Sequence, residues 1–142
     1  MIPGNSSAVL GDVIFLPCNL CDPPKHKYFV VAQVQPLRMF IINTCRTDYA
    51  EVRPAIVAAS PWILVADNPF LDHDSVVGCD CRPSHEYSYE KLEAMLKSNP
   101  SIFRGHLHVD SRKAIVEALT NNHLIPQKYL KEMLPLWQAS IP

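Results

Sequence analysis

Proline placement constrains this chain more than any other feature. Thirteen of the 142 residues are proline and only four are glycine. Nine of the prolines lie in residues 1–83 and four in residues 84–142. Proline lacks a backbone donor, so it interrupts helices and sheet ladders. The first part must therefore consist of short extended pieces separated by turns, while the second can hold longer helices. Apolar residues make up 48% and charged residues 19%, which suits one folded domain spanning 1–142. The formal net charge is −1, which argues against binding long nucleic acid by bulk charge and still permits a local basic cleft. No apolar run reaches the roughly 18–20 residues needed to span a bilayer. The start, Met1-Ile2-Pro3-Gly4-Asn5, has neither a basic nor a long apolar segment, so the expected location is cytoplasmic.

Residues 12–17 read as a buried strand closed by Pro17, and residues 18–26, with Pro23-Pro24, as a loop. Residues 27–35 are rich in β-branched and aromatic types, Pro36 marks a turn, and residues 38–43 continue as the second arm of an antiparallel hairpin. Further extended pieces are expected near 55–59, 62–66 and 75–80. The period then changes to helical. Tyr89, Leu92, Met95 and Leu96 share a face, with Ser88 as N-cap and Asn99-Pro100 as the stop. Residues 102–109 read as a returning strand. Asp110 is the expected cap of a second helix carrying Ile115, Ala118 and Leu119, stopped by Asn121-Asn122. Leu130, Met133, Leu134 and Trp137 form a third stripe after Pro126, which Pro135 is expected to end or kink. The fold class is α+β: a small barrel or bent sheet mainly in 10–83, with about three helices mainly in 84–142.

Several motifs in this order carry a resemblance. They are Gly11-Asp12-Val13-Ile14, then Phe29-Val30-Val31 behind a basic stretch, then Asn43-Thr44. Asp74-Ser75-Val76-Val77-Gly78-Cys79-Asp80 and Arg104-Gly105-His106-Leu107 follow. Over roughly residues 10–120 the chain resembles the PemK/MazF-like (Kid-like) plasmid-maintenance toxins. The resemblance implies an SH3-like barrel and a homodimer silenced by a small antitoxin. It also implies an endoribonuclease that cuts single-stranded mRNA through the ribose 2′-hydroxyl, with no metal or other cofactor. A base takes the hydroxyl proton, an acid protonates the leaving oxygen, and positive groups stabilise the phosphorane-like transition state. By position, His26 stands where the family has the arginine of an Arg-Pro pair, and Lys27 stands at the proline. Thr44 matches a hydroxyl and Asp80 a carboxylate. Gly78 stands where arginine is frequent. The implied catalytic set is His26, Thr44 and Asp80. Lys25, Lys27, Arg46 and Arg82 are the implied substrate contacts.

Each candidate has a plainer reading. His26, Lys25 and Lys27 also suit a solvated loop, Thr44 and Asp80 suit turns, and Asp72-His73-Asp74 suits a turn or strand cap as well as a metal site. Cys18 and Cys21 form a C-x-x-C and Cys79 and Cys81 a C-x-C, so four thiolates could hold zinc or simply be buried or loop thiols. His106 and His108 alternate on the expected strand and so face one side, for packing or solvent rather than ligation. Tyr28, Phe29, Phe40, Trp62, Phe103 and Trp137 read as mostly core, with an exposed Tyr or Trp able to stack a base. The competing functions are a non-catalytic binding module on the same barrel, a zinc-stabilised interaction domain, and a mobile-element accessory protein.

Overall fold

The computed structural model describes residues 8–18, 25–43, 61–79, 88–121 and 125–142. Six strands form one antiparallel sheet: β1 (Asp12–Cys18), β2 (Lys25–Gln33), β3 (Arg38–Asn43), β4 (Trp62–Ile63), β5 (Ser75–Gly78) and β6 (Phe103–His106). Their order is β4-β5-β3-β2-β1-β6, and the sheet curls into a half-barrel. Among the described residues three α-helices follow β5: α1 (Tyr89–Ser98), α2 (Val109–Thr120) and α3 (Gln127–Ala139). The architecture is α+β, and the helices among the described residues lie in the C-terminal part as the change of period predicts.

The apolar alternation sorts the sheet into two faces, because successive strand residues point to opposite sides. Val13, Val30, Ala32, Phe40, Ile42 and Val77 share one core with Ile115 and Leu119 of α2 and Met133 and Trp137 of α3. Ile14, Leu16, Phe29, Val31 and Met39 share the other with Leu92 and Leu96 of α1. Burial on both sides explains why β2 reads as an uninterrupted apolar run. Trp137 fixes α3 to the sheet. Its Nε1 donates to the carbonyl of Ala32 at 3.1 Å, and its ring stacks on Phe40 at 6.2 Å between centroids.

The expected caps hold at α1. The backbone N–H of Lys91 donates to Ser88 Oγ at 3.1 Å, and Asn99 ends the helix. Other expectations are corrected. The loop expected over 18–26 is corrected at both ends, because β1 runs to Cys18 and β2 begins at Lys25, with Pro17 facing His26 across the ladder. Pro17 is tolerated there because its fixed φ is compatible with an extended strand end. The expected strand over 62–66 stops at Ile63. The N–H groups of Asp67 and Asn68 both donate to the Leu64 carbonyl, and this turn overrides the apolar run. His108, not Asp110, caps α2: its Nδ1 accepts from the Asp110 N–H at 3.1 Å. Asp110 sits instead in the first turn, where its charge complements the helix dipole. Pro135 lies inside α3 without ending it. The carbonyl that loses its partner belongs to Lys131, an exposed residue, while Met133 and Trp137 on the buried side hold the helix in place. Trp62 is exposed, at 45%, rather than core. The expected piece at 55–59 lies outside the described residues.

Candidate functional site

Two places gather polar chemistry. The first lies where β6, β1 and β2 meet. Phe15 on β1 faces Tyr28 across the ladder, and Pro17 faces His26. The His26 ring therefore reaches Phe15 diagonally and stacks on it, with centroids 5.2 Å apart and planes 27° apart. Tyr28 lies against the same phenyl ring at 4.9 Å. Arg104 of β6 brings its guanidinium carbon to 4.7 Å from the Phe15 centroid. A cavity of about 370 Å³ opens beside this group, lined by Phe15, Pro17, His26, Met95, Asn99 and Ile102 among others. His26 and Arg104 are exposed, Phe15 and Tyr28 are half-buried, and no carboxylate pairs with either side chain among the described residues. Aromatic faces beside a guanidinium can stack bases and meet phosphates.

The second place joins two of the motifs quoted for the resemblance. Asp12 and His106 are partners in the β1–β6 register, beside an irregularity at Val13/Ile14. His106 Nδ1 lies 2.9 Å from Asp12 Oδ1. The other carboxylate oxygen accepts the Val9 N–H at 2.9 Å. The Asp12 side chain is 5% exposed and that of His106 40%. Gly11 makes room for the ring. Its φ is +91°, and a Cβ there would stand 2.9 Å from His106 Cε1. The expectation that His106 and His108 share one side of a strand fails, because β6 ends at His106 and His108 belongs to the helix cap.

Of the sequence-derived candidates, His26 is the one whose side chain enters the first place. Lys27, opposite Leu16, is half-buried and alternates to the other side of the strand. Lys25 begins β2, and its side chain, with all of Thr44, Arg46, Asp80 and Arg82, lies outside the described residues. So do Cys21, Cys81 and the side chain of Cys18, while Cys79 is buried in the α2/α3-side core. Gly78 closes β5 opposite Ile41. Asp74 acts as a local cap, its Oδ1 accepting the Val65 N–H at 2.8 Å. Sequence reasoning missed Phe15 and Arg104 as site residues. The β1–β2 alternation, which puts Phe15, Tyr28 and His26 on one side, carried a signal for the phenyl ring. It also missed the convergence of Asp67, His108 and Asp110, each offering a ligand atom within 4.8 Å of the others. There Nδ1 of His108 is already engaged as the cap acceptor.

No family model, no curated protein and no solved structure matches the chain.

Proposed function

We propose that the chain is a PemK/MazF-like endoribonuclease that holds single-stranded RNA over Phe15, Tyr28 and Arg104 and uses His26 for one of the two proton transfers. The single observation carrying this reading is the exposed His26 imidazole stacked on Phe15 beside the Arg104 guanidinium. An imidazole exchanges protons near neutral pH, a phenyl ring takes a base by stacking, and a guanidinium pairs with phosphate oxygens in a fork. The 2′-oxygen attacks phosphorus as its proton leaves, the bond to the 5′-oxygen breaks, and that oxygen is protonated, leaving a 2′,3′-cyclic phosphate. In the proposal Asp80 serves the complementary proton transfer, Thr44 orients the phosphate, and Lys25, Arg46 and Arg82 contribute charge, with Lys27 left on the opposite side of β2. An SH3-like barrel, a homodimer and a small antitoxin belong to the same proposal and rest on the resemblance, and a cytoplasmic address is proposed with them from the composition.

Incubation of the purified chain with single-stranded RNA in chelator tests it. Cleavage is expected, falling about 10²-fold or more in His26→Ala with an unchanged melting curve. No cleavage at any protein concentration overturns the proposal. A second reading, a binding module without turnover, is favoured by one observation: among the described residues His26 has no carboxylate to orient it. RNA retention without cleavage would select that reading.

A further inference from the structure

The cavity of about 370 Å³ beside His26 is bounded by β1 and α1. β1 lends it Phe15 and Pro17, and α1 lends it Met95 and Ser98. Asn99 and Ile102 complete this wall, Asn99 ending α1 and capping a single 3₁₀ turn, Pro100–Ile102. None of the motifs quoted for the resemblance falls in α1 or in that turn. The cavity is within the usual size of small-molecule pockets, about 300–1,000 Å³. Its residues are mostly apolar, so a flat ring with a few polar edge atoms suits it better than a phosphate does.

Asn99 narrows the choice of ring. Its backbone is fully engaged: the N–H donates to the Met95 carbonyl at 2.9 Å, and the carbonyl accepts the Ile102 N–H at 3.2 Å. Its side-chain Oδ1 is engaged twice, accepting the Ser101 N–H at 3.3 Å and the Ser101 hydroxyl at 2.5 Å. A backbone N–H can only donate, so that contact also fixes which end of the carboxamide is oxygen. What Asn99 has left for a ligand is Nδ2, two donors and no acceptor. Ser98 Oγ has no hydrogen-bond partner among the described residues, and a hydroxyl can donate or accept. Lys91 also lines the cavity, and an ammonium is donor only. The polar groups at hand are therefore rich in donors and poor in acceptors.

We infer that, with RNA meeting the surface around His26 as proposed above, this cavity is a base pocket for uracil and Asn99 is its specificity-determining residue. Uracil alone among the four RNA bases carries no amino group, and it presents two carbonyl acceptors on either side of one N–H. Asn99 Nδ2 donates to a carbonyl, and Ser98 Oγ accepts the N–H. Adenine, cytosine and guanine each bring an amino group, a further donor to a place short of acceptors. A donor taken from water without an acceptor costs affinity. Adenine loses more, because the usual asparagine contact to it needs the oxygen and the nitrogen of the carboxamide together, and Ser101 already holds the oxygen. His26 lines the same cavity and is the proposed proton carrier, so a uridine held there lies beside the bond that is cut.

The test is a nuclear magnetic resonance titration of the full, isotope-labelled chain with the four nucleoside 5′-monophosphates as probes. The Asn99 Nδ2 signals and the Met95 methyl signal are expected to shift together and saturably with uridine monophosphate. Adenosine monophosphate should bind about tenfold more weakly, roughly the worth of one hydrogen bond. Asn99→Asp keeps an oxygen for Ser101 and loses both donors, so it should lower uridine binding to the adenosine level. A mononucleotide has no phosphodiester bond to cut, so the titration is independent of turnover. Uridine preference at Asn99 in a chain that cuts no RNA supports the pocket and overturns the ribonuclease reading. Cleavage of RNA with no preference for sites beside uridine overturns the pocket and leaves the ribonuclease reading in place. An equal response to all the mononucleotides, no saturable shift, or shifts that pass over Asn99 also overturn the inference. These outcomes need no variant and hold even if Asn99→Asp does not fold.

Discussion

His26 and His106 are the same side chain in opposite circumstances. His26 is exposed, rests on the Phe15 ring and has no acidic partner among the described residues. His106 is gripped at Nδ1 by a buried carboxylate whose other oxygen holds the Val9 N–H. The first can be replaced at little structural cost and matters for what it touches. The second is joined to the fold, because removing its buried partner takes the acceptor from both the His106 ring and the Val9 N–H. The contrast separates two kinds of histidine that a sequence presents identically, one held by chemistry across the sheet and one presented by it.

Substitutions should expose that asymmetry, beginning with the largest loss of stability. Asp12→Ala leaves the Val9 N–H and the His106 Nδ1–H without their acceptor, and denaturant unfolding is expected to register about 2 kcal/mol of destabilisation. A midpoint equal to that of the parent protein would erase the distinction. Gly11→Ala is expected to cost about 1–2 kcal/mol, from the left-handed backbone and the crowding of the His106 ring. The same chemical denaturation series reads it. Phe15→Ala removes a half-buried ring and should cost about 1 kcal/mol in stability. It should also weaken single-stranded RNA binding by about 1–3 kcal/mol, the usual worth of one stacked base, as measured by fluorescence anisotropy. His26→Ala should shift stability by no more than about 0.5 kcal/mol. A larger change in its melting curve would show that His26, too, is structural.

What the sequence made legible follows the range of the interaction concerned. The helical stripes, the Ser88 cap and the β2–β3 hairpin are local patterns, and all three are present. The α+β class follows from them. The Asp12–His106 contact joins residues 94 positions apart. It depends on β6 pairing with β1 at a register that slips near Val13, and no local pattern encodes that. The α2 cap was misassigned because Asp110 and His108 both suit a helix start, and the Asn68 side chain settles the matter from outside. Asn68 Oδ1 accepts the His108 N–H at 3.0 Å, and its Nδ2 donates to Ser111 Oγ at 2.9 Å. Pro135 misled for the same reason, since the anchoring of Trp137 in the core is a tertiary fact. Within the candidate site His26 was legible as a titratable group in a basic stretch. Phe15 was signalled only by the β1–β2 alternation, and Arg104 was not legible, because its nearness requires the sheet order β6-β1-β2.

RNA is proposed to meet the chain at the aromatic and basic surface around His26. Mapping amide and side-chain shifts upon addition of a short single-stranded RNA tests this directly. The largest changes are expected at Phe15, His26, Tyr28 and Arg104, with Asp12 and His106 unmoved. Saturable changes centred anywhere else on the sheet, or none at millimolar RNA, would contradict it.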